Sequence, residues 1–172
     1  MTSELRHSVA SRARAFQDRL KQFSVGTSVA AAEALRLFED AEDDVRCRWL
    51  TLELDGYPEH VDAPALHQVL GVTLGHPLVA HVTSYRTQRG VDATPGHRPV
   101  EFRHFFIEPL SALEAARAKA ASAGRSTLLL DFGPHPRDAI YPTTGEFARG
   151  VFDRVLAGFM AALHLHLGPL TS

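Results

Sequence analysis

Ten histidines in a chain of 172 residues are the side chains best suited to proton transfer or metal binding. Their spacing does not favour a shared metal. His164 and His166 are two apart, which places them on different sides of a helix. A zinc-binding helix needs two histidines at i and i+4, and that pattern is absent. His60, His76, His97 and His135 all fall in turn-like sequence rich in glycine and proline, where a histidine is expected simply to face solvent. The acidic run Glu39, Asp40, Glu42, Asp43, Asp44 offers hard oxygen ligands, but it lacks the glycine and the ligand spacing of a calcium loop. Asp40 and Asp43 have instead the spacing of a helix cap, which predicts a break near Asp40 and carboxylates in a first helical turn. The single cysteine, Cys47, has no disulfide partner and sits by Trp49 in a helical pattern, so it reads as a buried thiol. No nucleophile elbow, P-loop or dinucleotide glycine pattern occurs. No catalytic residue, metal or cofactor is assigned on these grounds.

One spacing remains. Arg98 and His104 are separated by five residues, which resembles the RNA-cleaving motif of HEPN domains. There histidine and arginine handle proton transfer and the phosphate at the mouth of a helical bundle. Here Pro99 and the start of a predicted strand lie between the two, and no second acid or base is evident. Arg98 and His104 therefore mark an alternative reading, an RNase-type toxin or effector. A small-ligand sensor is a further alternative.

The elements that must position these residues begin with a helix over residues 2–23. Leu5, Val9, Phe16, Leu20 and Phe23 lie near helical spacing, with Arg6, Arg12, Arg14, Arg19 and Lys21 on the other sides. Gly26 punctuates, Thr27 or Ser28 is expected to cap a second helix, and the alanine-rich run 29–35 favours it. From Val45 a third helix carries Val45, Trp49 and Leu52 on one face. Gly56 is placed to end it in a left-handed conformation, and Pro58 forbids continuation. Tyr57 can then fold back on the last turn with its hydroxyl in need of a polar partner, and Glu53 is a candidate buried carboxylate that bonds Tyr57 or a backbone amide.

Residues 69–74 and 78–85 read as short β-branched strands around Gly75-His76-Pro77, and 90–99 as a loop. A further strand covers 100–107. Ser111 and Glu114 suggest a capping box for a helix over 112–121, and Leu128-Leu129-Leu130 a buried central strand. Thr143 and Glu146 suggest a second box, opening a long helix over residues 144–167. That helix is apolar on more than one side, with Phe147, Val151 and Val155 on one and Phe152, Leu156 and Phe159 on another. Such a helix is central to a core or shared with a partner, which makes Phe147, Val151, Phe152, Val155 and Phe159 candidate interface residues.

The run Trp49 to Tyr57 with Pro58, in particular Glu53-Leu54-x-Gly56-Tyr57-Pro58, resembles the signature of the AbiTii abortive-infection family. Two more blocks similar to that family follow in order: Phe106-Ile107-Glu108-Pro109-Leu110 through Glu114, and Arg149-Gly150-Val151-Phe152 through Leu156. The resemblance spans most of residues 1–167 and thins over 75–100. It implies a part in bacterial antiphage defence, acting through protein–protein contacts, with Trp49, Glu53, Gly56 and Tyr57 as signature residues of architectural rather than catalytic role.

Composition agrees with an ordinary globular chain: 45% hydrophobic and 22% charged residues, net charge -2. The charge argues against nucleic acid as a general ligand. No apolar run is long enough for a membrane span, and no secretory pattern opens the chain, so a cytoplasmic protein is expected. The expected fold is α+β in one domain over 1–172. It has a helical part at 1–57, a small mostly antiparallel sheet with one helix at 66–132, and the long apolar C-terminal helix at 143–167. The function expected is a non-enzymatic interaction or regulatory module that self-associates or docks an effector.

Overall fold

Apolar residues at helical spacing near the start of the chain produce α1 (Ser3–Lys21), which buries Val9, Ala13, Phe16 and Leu20 and turns its arginines outward. The fold is that of a computed structural model, which describes residues 3–22, 25–57, 63–93, 102–124, 127–131 and 144–171. Two of the basic residues meet acids of the next helix: Arg12 lies 2.6 Å from Asp40, and Arg19 pairs with Glu33. That helix, α2 (Thr27–Asp40), buries Ala30, Ala31 and Ala34 completely, and such small side chains let its neighbours approach closely. The break after Asp40 is where the acidic run places it. Asp43 caps α3 (Asp44–Asp55) by accepting from the Arg46 amide at 3.0 Å.

The cap of α2 is not local. Its N-cap is Gly26, with no side-chain capping bond, and the free amides are met by Glu114 from across the fold. Glu114 accepts from the Thr27 amide at 2.5 Å, the Ser28 amide at 3.3 Å and the Ser28 hydroxyl at 2.5 Å. A carboxylate there meets the positive end of the helix dipole. The expected Ser111–Glu114 box is therefore not formed, and Pro109 is the N-cap of α6 (Leu110–Ser122).

The middle of the chain overturns the α+β expectation. Residues 69–74 and 78–85 are not strands: they fall mainly in α4 (Ala63–Leu70), the turn after it, and α5 (Pro77–Gln88). Pro77 takes the first helical position, where its missing N–H costs nothing, and the His76 side chain accepts from the Leu78 amide at 3.2 Å. Leu66, Leu70, Leu78, Val79 and Val82 are buried at helical spacing, so burial outweighs β-branching. The strands that do form make two separate two-stranded ribbons. β1 (Gly90–Ala93) pairs antiparallel with β2 (Phe102–Phe105), and β3 (Thr127–Asp131) with β4 (Thr144–Ala148). Among the described residues the fold is thus a helical one with two ribbons, not a layered sheet, and Leu128–Leu130 is not the centre of one.

The last helix also differs from expectation. It is α7 (Arg149–Leu167), followed by a 3-10 turn, Gly168–Thr171. Residues 144–148 are strand instead, and Glu146 lies opposite Leu129 in that ribbon, so the second capping box is not made; Thr143 is outside the described residues. Nor is α7 apolar all round. Phe152, Val155, Leu156, Phe159, Leu163 and Leu167 form one buried stripe, while Arg154, Ala157, Ala161, His164 and Leu165 are exposed. A single core cluster connects Ala13 in α1 to Leu167 in α7. Among the described residues no helix is long and apolar enough to cross a membrane.

Candidate functional site

Trp49, Glu53 and Tyr57 follow one another at i, i+4 and i+8, which puts them in a row along the inner side of α3 and its exit. Glu53, fully buried, is the centre of that row. Its Oε1 accepts from Trp49 Nε1 at 3.2 Å and from the Tyr57 hydroxyl. Its Oε2 accepts from Arg89 Nη2 at 2.8 Å, and Arg89 is also fully buried. The guanidinium's other arm, Nη1, donates to the carbonyls of Phe106 at 2.7 Å and Glu108 at 3.1 Å. Its carbon stands 5.2 Å from the centre of the Tyr57 ring. A buried charge pair is tolerable only when its remaining donors and acceptors are met in this way.

Gly56 makes the approach feasible. Its φ of 99° is open to glycine and costly to other residues, and an added Cβ would lie 3.0 Å from the Ile107 carbonyl. The Tyr57 amide donates to that same carbonyl at 2.7 Å, and the Phe106 amide to the Arg89 carbonyl at 3.2 Å. From the other side Trp49 meets α7, with ring centroids 5.7 Å from Phe159 and 4.7 Å from His166. Phe106 lies 5.3 Å from Phe152. The described parts of the three sequence blocks, 49–57, 106–114 and 149–156, therefore meet around one buried node. Arg89, which joins them, carries no local signal: its partner is 36 residues away.

What this node can do chemically is limited by access. Glu53 and Arg89 have no exposed surface and multiple hydrogen bonds each, so they hold elements together rather than meet a substrate. Next to them, burial pushes the Glu108 carboxyl above its ordinary range, against the opposing pull of backbone amides and Arg89. Its Oε2 is buried with no hydrogen-bond partner among the described residues. The folded chain therefore holds that proton more tightly than the unfolded one. Glu108 contributes stability below the ordinary glutamate range and loses it as pH rises through the raised value. Glu108→Gln is expected to match the parent in acid and exceed its stability at neutral pH. Thermal midpoints across pH check this, and a variant less stable at neutral pH contradicts it.

The other candidates disperse. His104 sits in β2 opposite Val91, and Arg98 is outside the described residues, as are His60, His97 and His135. His166 is buried and His164 exposed, on separate sides of α7 as their spacing requires. Among the described residues no group of histidine, cysteine and carboxylates is placed to hold a metal. The acidic run is divided between capping by Asp43 and pairing of Asp40 with Arg12. Burial, with help from Glu39, Asp43 and Asp44, pushes the Cys47 thiol up to about 11, which leaves it protonated at neutral pH and a poor nucleophile.

Of the five candidate interface residues, Phe152, Val155 and Phe159 have no exposed surface within this one chain. Val151 is half-buried, and Phe147 lies in β4. The opposite face of α7 borders a broad groove of about 940 Å³ shared with α1 and α6. Its apolar lining includes Leu20, Val25, Leu156, Met160 and Ala161, beside the Arg117–Asp153 ion pair at 2.6 Å. No family model, no curated protein and no solved structure matches the chain.

Proposed function

We infer that the chain is an AbiTii-like, non-enzymatic interaction module of a bacterial antiphage system, cytoplasmic, and acting by self-association. The observation that carries this reading is the outer face of α7, where Ala157 and Ala161 sit one turn apart beside an apolar groove. Small side chains at that spacing permit a second helix to approach closely. An antiparallel α7 from a second copy, with Ala157 set opposite Ala161, also brings the Arg117–Asp153 pair of one chain towards His164 of the other. That register is self-complementary, as a two-fold interface must be. The interlocking of the three family-like blocks supports the architectural role of Trp49, Glu53, Gly56 and Tyr57.

The biological half of the proposal is tested by plaquing. Cells carrying the chain in its own gene context are expected to resist at least some phages of a panel, and Ala161→Glu is expected to abolish that resistance. Glutamate at an exposed helical position has little reason to disturb the fold. Resistance unaffected by Ala161→Glu would overturn the α7 face. Resistance lost while the variant's mass stays that of the parent would assign the face to a docked effector instead.

A further inference from the structure

A second cavity, which adjoins the groove at Leu165, lies between the start of α3, the start of α5 and the end of α7. It has a volume of about 410 Å³, within the range of small-molecule sites. Its polar lining is Asp43, Arg46, His76 and His166, and its apolar lining includes Val45, Pro77 and Leu165. The polar groups are fixed by contacts that leave donors over. Arg46 is anchored three ways: Nη1 pairs with Asp43, Nε donates to His166 Nδ1 at 3.4 Å, and its guanidinium carbon is 5.6 Å from the centre of the Phe38 ring. Among the described residues its Nη2 has no hydrogen-bond partner.

His76 accepts the Leu78 amide on Nδ1, so the proton of its neutral ring is on Nε2. Asp43, the one carboxylate in the lining, is committed to the Arg46 amide and guanidinium. A rigidly held guanidinium with a spare N–H pair, beside an imidazole N–H and an apolar wall, matches a negative head group attached to a compact apolar body. We propose that this cavity binds a small organic anion, its phosphate or carboxylate head on Arg46 and His76 and its body against Val45, Pro77 and Leu165. The polar groups of this site lie outside the self-association groove, and among the described residues only Leu165 lines both.

The chain carries its own reporter for the test. Trp49 is the single tryptophan, and its ring is 4.7 Å from His166 in the cavity lining. Phenyl phosphate titrated into the full chain is expected to change Trp49 emission saturably and to give a matching heat in calorimetry. Benzyl alcohol, which keeps the ring but carries no charged head, is expected to give neither. Inorganic phosphate is expected to bind about tenfold more weakly, having no apolar body. Arg46→Met, which keeps the stem over Phe38, is expected to weaken phenyl phosphate about tenfold or more. His76→Asn retains an acceptor for the Leu78 amide and is expected to weaken it several-fold, which decides the matter should Arg46→Met fail to fold. The proposal is overturned by no saturable response to phenyl phosphate, by equal binding of benzyl alcohol, or by folded variants that bind like the parent.

Discussion

Replacing Arg89 with methionine is expected to remove about 3–5 kcal/mol of folding stability, the cost of leaving one member of a buried ion pair without the other. The substitution strips Glu53 Oε2 of its partner and frees the carbonyls of Phe106 and Glu108, all in one place. Total stability of a domain is typically about 5–15 kcal/mol, so the variant should unfold at much lower urea. The paired change Glu53→Leu with Arg89→Met is expected to lose less than the sum of its parts, since no charge is then left buried alone. Urea titrations of the parent, both single variants and the double variant measure this coupling. Strict additivity would mean that the two residues do not act as a pair.

Phe159→Ala is expected to cost about 3–5 kcal/mol as well, by opening a cavity against Trp49. This result separates two roles for the same residue. The sequence places Phe159 on a helix that could be shared with a partner; its complete burial within one chain assigns it to the core. A core residue changes unfolding and leaves the assembly's subunit number alone. An interface residue does the reverse, so Phe159→Ala with parental stability and altered mass would contradict the core assignment.

Features governed by near neighbours in sequence were legible before the structure. The register of α1, the break near Asp40, the glycine exit at Gly56 and the contact of Tyr57 with Glu53 all depend on residues within a turn or so of each other. Residues 69–85 misled because β-branched content and a Gly-His-Pro turn suggest strands. The burial spacing of Leu78, Val79 and Val82, together with proline at a helix start, decides for helix. Distant partners were invisible for a different reason. Glu114 has the local look of a box for its own helix, yet it caps α2, 87 residues earlier in the chain. Arg89 sits in a stretch with no motif at all and completes the node only through folding. The outer face of α7 was obscured by its residue types: Ala157, Ala161 and Leu165 count as apolar, but only the packing shows which stripe the core uses.

Sedimentation equilibrium of the full chain over a range of concentrations tests the proposed self-association through the outer face of α7 most directly. The mass is expected to rise from 18.8 kDa toward twice that value with concentration, and an Ala161→Glu variant to stay at the single-chain mass. A parent chain that remains at the single-chain mass throughout, or a variant that associates as readily as the parent, would contradict it.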